Sequence, residues 1–337
     1  MKGVLENEIK VRKKIDNLLE ENERLKGFYS FIGNKSVKTS YNYLHFMKDF
    51  MKYIGDKDFS ELTLDDFTGF LMKKQFSNKG LPVSSSQKIG VYSALKKFGK
   101  YLVASGQLSS NPMDHIDRPK PTESQETIKK REIGYLDKKE INKFVENINT
   151  GVGSDRSKLR QEKWKERDLA IAMVFLNTGM RCSALVSLDI SDFDFVNDTL
   201  TVTDKGSKVT TYDISEELTE LIERWMVKRS EILGDIQEDA LFISNRKKRI
   251  SSDSVLAIIH KYTDNIQGKN ISPHKLRATF GTQILNATGD LYLTQKAMGH
   301  SSPKTTELYI RDREQVNATK KTSEIMKNLT MSELEDL

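Results

Sequence analysis

The feature that most constrains this chain is a break. From Asn111-Pro112 to Thr127 the sequence sets Pro112, Pro119 and Pro121 among polar residues and shows no apolar period. Proline fixes φ and has no N–H to offer a helix or central strand, so no regular element runs through such a stretch. The 337 residues therefore divide into two separately packed bodies joined by a linker, the ordinary outcome at this length. The divisions expected are a helical extension over 1–27, a helical domain over 28–110, the linker over 111–130, a second domain over 131–316 and a tail over 317–337.

Composition narrows what the two bodies are. Apolar residues make up 37% of the chain and charged residues 30%, enough for cores with large solvated or partner-facing surfaces. No run of eighteen apolar residues occurs, so no membrane-spanning helix is expected. Residues 1–6 (MKGVLE) lack the apolar stretch of a secretory signal. The single Cys182 allows no intramolecular disulfide and no cysteine-based zinc cage, and a reducing cytoplasmic setting is the expectation. Residues 1–130 hold 23 Lys and Arg against 16 Asp and Glu, while the rest of the chain carries one more acid than base. The positive excess sits in the N-terminal third, where a grip on phosphate backbone would put it, although a lysine-rich solvated surface gives the same sum.

Periodicity reads mainly as helix. Residues 1–27 suit an amphipathic helix, with Leu5, Ile9, Ile15, Leu18 and Leu19 facing its own chain or a partner. Tyr41, Leu44, Met47, Phe50, Met51 and Ile54 recur at three and four, and Gly55 stands where that helix should stop. Thr63 is placed to cap the next helix, with Phe67, Phe70 and Leu71 on its inner face. A further helix runs through Ser84–Val103, apolar at Ile89, Val91, Leu95, Phe98 and Leu102, with Lys88, Lys96, Lys97 and Lys100 on its other side. Those lysines suit a DNA groove, and equally a solvated face. In the second domain one island alternates instead: Thr199–Thr203, a turn at Asp204–Lys208, then Val209–Ile214, which is a β-hairpin.

Five segments of the second domain carry chemistry. An apolar helix ends at Gly179, and Arg181 opens the next one. The hairpin turn projects Lys205, with Lys208 close behind. In Ser272-Pro273-His274-Lys275-Leu276-Arg277, Ser272 is placed to cap and Pro273 suits the first helical position, which puts His274 and Arg277 on one face. His300 follows Met298-Gly299 at a helix end, and Ser302-Pro303 opens a short helix that carries Tyr309. Singly, each has a bland explanation: a surface ion pair, a solvated turn lysine, a capping or core histidine, a packing tyrosine. Together, two arginines, a lysine, two histidines and a tyrosine make a metal-free site for a phosphodiester. A tyrosine hydroxyl, with pKa near 10, needs a cationic setting to attack phosphorus. Arginine forks hold two non-bridging oxygens in fixed geometry, and phosphoryl transfer rests on such positioning. The paired carboxylates of two-metal nucleases are absent from these motifs.

This set resembles the tyrosine recombinase family of phage integrases and Xer proteins. Thr178-Gly179-Met180-Arg181 resembles its first-arginine motif and Lys205-Gly206-Ser207-Lys208 its hairpin lysine turn. His274-Lys275-Leu276-Arg277 is similar to its His-x-x-Arg box, and Met298 through Tyr309 to its Gly-His segment with the nucleophile nine residues on. The resemblance implies a mainly α fold with a small antiparallel β-hairpin or sheet: a helical N-terminal core-binding domain and an α+β catalytic domain. It implies a site-specific DNA recombinase in which Tyr309 forms a 3′-phosphotyrosyl bond and frees a 5′-hydroxyl. In that scheme Arg181 and Arg277 hold the non-bridging oxygens with His300 assisting. Lys205 is the general acid and His274 the base or a phosphate ligand. No metal, ATP or other cofactor is implied. The partners implied are double-stranded DNA and three further copies of the chain, a tetramer on paired sites from a monomer free in solution, with no membrane. The tail, with Ile325, Met326 and Leu329 at helical spacing, would dock on a neighbour.

One position departs from the family pattern: three residues after Arg181, where an acidic residue is usual, stands Ala184. Residues 1–27 show no arm-site module, which favours an Xer or transposon type. Two other readings share the residues: a type IB topoisomerase-like nicking and closing enzyme, and a DNA-binding regulator that kept the fold without catalysis. The DNA site, and integration as against excision or dimer resolution, are not legible.

Overall fold

The computed structural model describes residues 2–77, 80–120, 134–204, 208–266 and 269–299. The described residues fall into two compact units that divide between Thr127 and Ile128.

The first unit is helical. It contains α1 (Lys2–Glu21), α2 (Lys26–Phe31), α3 (Val37–Ile54), α4 (Leu64–Lys73) and α5 (Ser85–Ala104), then a 3-10 turn at Pro112–His115. Local chemistry sets the boundaries. Ser36 accepts the Thr39 N–H at 3.4 Å to open α3, and Gly55 closes it at φ 62°. Thr63 and Asp66 form a capping box at the start of α4, and Ser84 accepts from Gln87 at 3.2 Å at the start of α5. The core is an aromatic knot. Phe50 meets Phe67, Phe70 and Phe98 with ring centroids 5.2, 5.1 and 5.9 Å apart, and Phe28 meets Phe98 edge-on at 5.3 Å. Burying each such ring contributes roughly 1.5–3 kcal/mol. Ile15, Leu18 and Leu19 of α1 enter the same core, so the N-terminal helix packs on its own chain.

The second unit runs α6 (Lys138–Thr150), α7 (Asp155–Glu162), α8 (Lys165–Thr178) and α9 (Cys182–Ser187). A small sheet follows, then α10 (Glu216–Leu233), α11 (Ser252–Thr263), α12 (Pro273–Thr288) and α13 (Leu291–Ala297). The expected hairpin is β2 (Thr199–Asp204) with β3 (Lys208–Asp213), antiparallel, pairing Leu200 with Tyr212 and Val202 with Thr210. A two-residue strand, β1 (Phe193–Asp194), adds to β2. It is too short to carry an alternating pattern, so sequence periodicity passes over it. Helix α8 is the central rod, touching α6, α10, α11 and α12, with Ala170, Ile171, Val174 and Phe175 fully enclosed.

A buried ionic cluster is built into α8. Asp168, inaccessible to solvent, accepts from Arg167 at 2.9 and 2.7 Å, from Lys261 at 3.0 Å and from the Tyr262 hydroxyl at 3.0 Å. Arg167 also donates to the Ile243 carbonyl at 2.9 Å. Full pairing of this kind is what makes a buried carboxylate tolerable. Among the described residues no helix is long and apolar enough to cross a membrane.

Candidate active site

The site begins where α8 ends. Gly179 takes the left-handed conformation, φ 58° and ψ 18°, and its N–H closes the helix on the Phe175 carbonyl at 2.9 Å. Two demands fall on this residue, because a Cβ here would also run into the ring of Phe280 on α12. The chain then turns through buried Met180 into Arg181, the half-buried N-cap residue of α9. Its carbonyl accepts from the N–H groups of Ala184 and Leu185 at 2.9 and 3.1 Å. Ala184 lies in the apolar core at 3% exposure. No carboxylate therefore stands behind Arg181 from that position.

Helix α12 supplies the next pair. Pro273 opens it, but Ser272 makes no side-chain cap; instead its carbonyl accepts from Lys275 and Leu276 at 2.9 and 3.0 Å. The expected hydroxyl cap is thus absent. His274 is exposed. Arg277, one turn on, is only 3% exposed, and its guanidinium donates one N–H to the carbonyl of Gly179 and another to the carbonyl of Met298. Between them, Lys275 is half-buried, and burial, with the Lys269 charge adding to it, lowers its pKa.

Met298 ends α13, which Asp290 opens by accepting the Leu293 N–H at 2.9 Å. Gly281 of α12 lies so close to Met298 that a Cβ would strike its sulphur. Gly299 follows at φ 59°. The planar fork of Arg277 therefore joins three segments: its own helix, the carbonyl two residues before Arg181, and the carbonyl two residues before His300. A single ammonium lacks the geometry for this.

Of the six residues expected at the site, Arg181, His274 and Arg277 are described, while Lys205, His300 and Tyr309 lie outside the described residues, as does the tail. Lys208 opens β3, with its backbone paired to Asp204. The four candidate DNA-binding lysines are on α5 of the first unit. Lys96, Lys97 and Lys100 border one concavity there, and Lys88 is not part of it. What sequence reasoning missed is the support. The Asp168 cluster was passed over, yet Asp168 stands three, four and seven residues before Ile171, Ala172 and Phe175, an apolar spacing that marks a charged residue as buried. The two carbonyls taken by Arg277 had no sequence signal, since backbone acceptors have none.

Comparison with known proteins agrees with this architecture. Residues 134–316, more than half the chain, match the phage integrase family. The tyrosine recombinase XerC of Shewanella amazonensis is 29% identical over 76% of this chain and 79% of its own length. XerC of Salmonella typhi is 33% identical over 68% and 70%. Among solved structures, the XerH site-specific recombinase bound to a palindromic difH substrate, a post-cleavage complex, superposes with a TM-score of 0.69. It has 20% identity and covers 93% of this chain and 89% of that one. The Tn1549 transposon integrase in complex with transposon right end DNA gives 0.62 at 18% identity, covering 92% and 98%. The protein belongs to the phage integrase family and is a tyrosine recombinase of the Xer type.

Proposed function

We propose that this recombinase cuts and rejoins double-stranded DNA through Tyr309, with Arg181, Lys205, His274, Arg277 and His300 around the scissile phosphate. The Tyr309 oxygen attacks phosphorus, a P–O bond to tyrosine forms, and the bond to the 5′ oxygen breaks. His274 takes the tyrosine proton and Lys205 gives one to the departing 5′ oxygen. Arg181 and Arg277 hold the non-bridging oxygens, assisted by His300. The bond energy stays in the phosphotyrosine, so a 5′-hydroxyl from a partner strand reverses the step.

The observation that supports this best is the Arg277 fork. It ties the approach to Arg181 and the approach to His300 to the helix carrying His274. The relatives named XerC and the DNA-bound recombinase structures support duplex DNA as the partner. Residues 28–110 act as the DNA-gripping domain, the lysines of α5 included. Four copies assemble on two duplexes, each passing residues 317–337 to a neighbour. An apolar groove of about 640 Å³ between α6, α8 and α12, edged by Ile141, Val145, Met173, Leu176 and Phe280, suits the Ile325, Met326 and Leu329 spacing of such a tail.

The test is covalent capture. The protein is incubated with sheared chromosomal DNA of its host, denatured, and the protein-linked DNA is sequenced. A phosphotyrosyl adduct at Tyr309 on a recurring sequence is the expected result. Absence of any adduct from the wild-type chain, or one mapped to another tyrosine, overturns the proposal.

A further inference from the structure

Tyr135-Leu136-Asp137, the approach to α6, belongs to no helix or strand, yet side chains take up its backbone group by group. The Tyr135 carbonyl accepts from the Lys269 ammonium at 2.8 Å. The Leu136 N–H donates to the Thr279 hydroxyl at 2.9 Å, and the Leu136 carbonyl accepts from the Gln283 amide at 3.3 Å. The Asp137 N–H donates to the Glu140 carboxylate at 2.7 Å, and Lys269 donates to the same oxygen at 2.6 Å. Backbone groups leaving solvent outside regular structure need such partners. Those that serve Leu136 both come from α12, the helix of His274 and Arg277.

Thr279 is the centre of this clasp, and both it and Leu136 are fully enclosed. Its hydroxyl donates to the Lys275 carbonyl one turn back at 2.9 Å, the bond a threonine inside a helix makes by itself. The proton is thereby used, and a lone pair remains to accept the Leu136 N–H. At about 100° per residue, Lys275, Thr279 and Gln283 share one side of α12, and Arg277 stands about 200° around the axis from Thr279. The Arg277 fork holds the helix to Gly179 and Met298, and the clasp holds it to Leu136 from the far side. A helix gripped on one side can roll; gripped on two it cannot. With side chains its radius is about 5–6 Å, so a roll of about 10° moves a side-chain end by about 1 Å. A displacement of about 1 Å at a reacting group can cost about 100-fold in rate.

We propose that Thr279 is a positioning residue for strand cleavage: it fixes the roll of α12 and with it the aim of Arg277 and His274 at the scissile phosphate. The inference rests on the roles given to those two residues above. Thr279 is wholly enclosed, so it meets no DNA and acts through Leu136. A hydroxyl that only stabilised the fold would, when removed, lower stability and leave the rate of the folded protein unchanged.

The test uses the full chain with Thr279→Val, which keeps the shape and removes the hydroxyl, and Thr279→Ser, which keeps the hydroxyl. Ile222→Ala, a cavity in the same core, is the control for lost stability alone. Adduct formation is timed in a single turnover, at saturating concentrations of the duplex that the wild-type protein captures, on single sites and below the melting temperature of every variant. Thr279→Val is expected to be slower by about tenfold or more, with duplex affinity within about twofold. Thr279→Ser is expected within about threefold of wild type, and Ile222→Ala at the wild-type rate. In isotope-labelled protein without DNA, the guanidinium N–H resonances of Arg277, assigned by their loss in Arg277→Lys, are expected to shift and to exchange faster with water in Thr279→Val only. A wild-type rate in Thr279→Val, a slowing matched by Ile222→Ala, or a Thr279→Ser as slow as Thr279→Val overturns the positioning role. Should Thr279→Val not fold, Gln283→Leu removes the second bond to Leu136 and is expected to slow the adduct by about threefold. A wild-type rate there overturns the clasp. The parent reading fails separately, if the wild-type chain forms no adduct; the Arg277 resonances then decide, and unchanged signals in Thr279→Val overturn the clasp as well.

Discussion

Arg277 directs two of its N–H groups at backbone carbonyls while almost wholly enclosed. Charge-assisted bonds in such a setting contribute about 1.5–3 kcal/mol each, and an acceptor left without a partner costs about as much. Arg277→Lys keeps the charge but cannot span both carbonyls. It is expected to lower the unfolding free energy by about 2 kcal/mol in urea titration and to abolish the covalent adduct. Unfolding at the wild-type urea concentration would show that the fork does not hold the fold. Tyr309→Phe makes the opposite prediction. Removing one oxygen eliminates the adduct and leaves duplex affinity within about twofold, roughly 0.4 kcal/mol. An adduct that persists in that variant places the nucleophile elsewhere.

At the scale of elements, α8 has two ends with different tasks. Its C-terminal Gly179 meets Phe280 with no room for a methyl and sits at positive φ. Gly179→Ala adds left-handed strain of about 1 kcal/mol and overpacking of about 1–3 kcal/mol, so a loss of some 2–4 kcal/mol is expected by chemical denaturation. Near its N-terminus Asp168 anchors Tyr262. Burial first, and the Asp168 charge second, push the Tyr262 hydroxyl well above the ordinary tyrosine value of 10.0. A folded-state pKa raised above the unfolded one gives stability that is complete below pH 10 and is lost as pH rises beyond it. Urea unfolding between pH 8 and 11 should therefore show wild-type stability falling by up to about 1.4 kcal/mol per pH unit more steeply than that of Tyr262→Phe. Parallel curves would mean that the phenol does not titrate against the fold.

At the scale of the whole molecule, the two units have separate cores. The aromatic core of the first and the α8-centred core of the second share no residue. The proposed tail exchange belongs to this scale. A chain ending at Val316 is expected to keep duplex affinity and to form the Tyr309 adduct on single sites. It should fail to form the four-copy complex in sedimentation velocity on paired sites. Tetramers of the truncated chain would remove residues 317–337 from assembly.

Much of this was legible beforehand, and the reason is local. The stop at Gly55, the cap at Thr63, the hairpin and the helix end at Gly179 each depend on residues within a few positions of one another. Spacing alone determined the helices and the hairpin. What lay beyond it joins positions far apart in the chain. Arg277 reaches carbonyls 98 and 21 residues away, Asp168 meets a tyrosine 94 residues on, and Lys35 meets Lys100 and Arg118 across one hollow. Backbone acceptors are identical at every residue, and a buried charge has the same letter as a solvated one. Packing decided which carbonyls and which charges became neighbours, that of α8, α11, α12 and α13 in the second unit and that of α3 on α5 in the first.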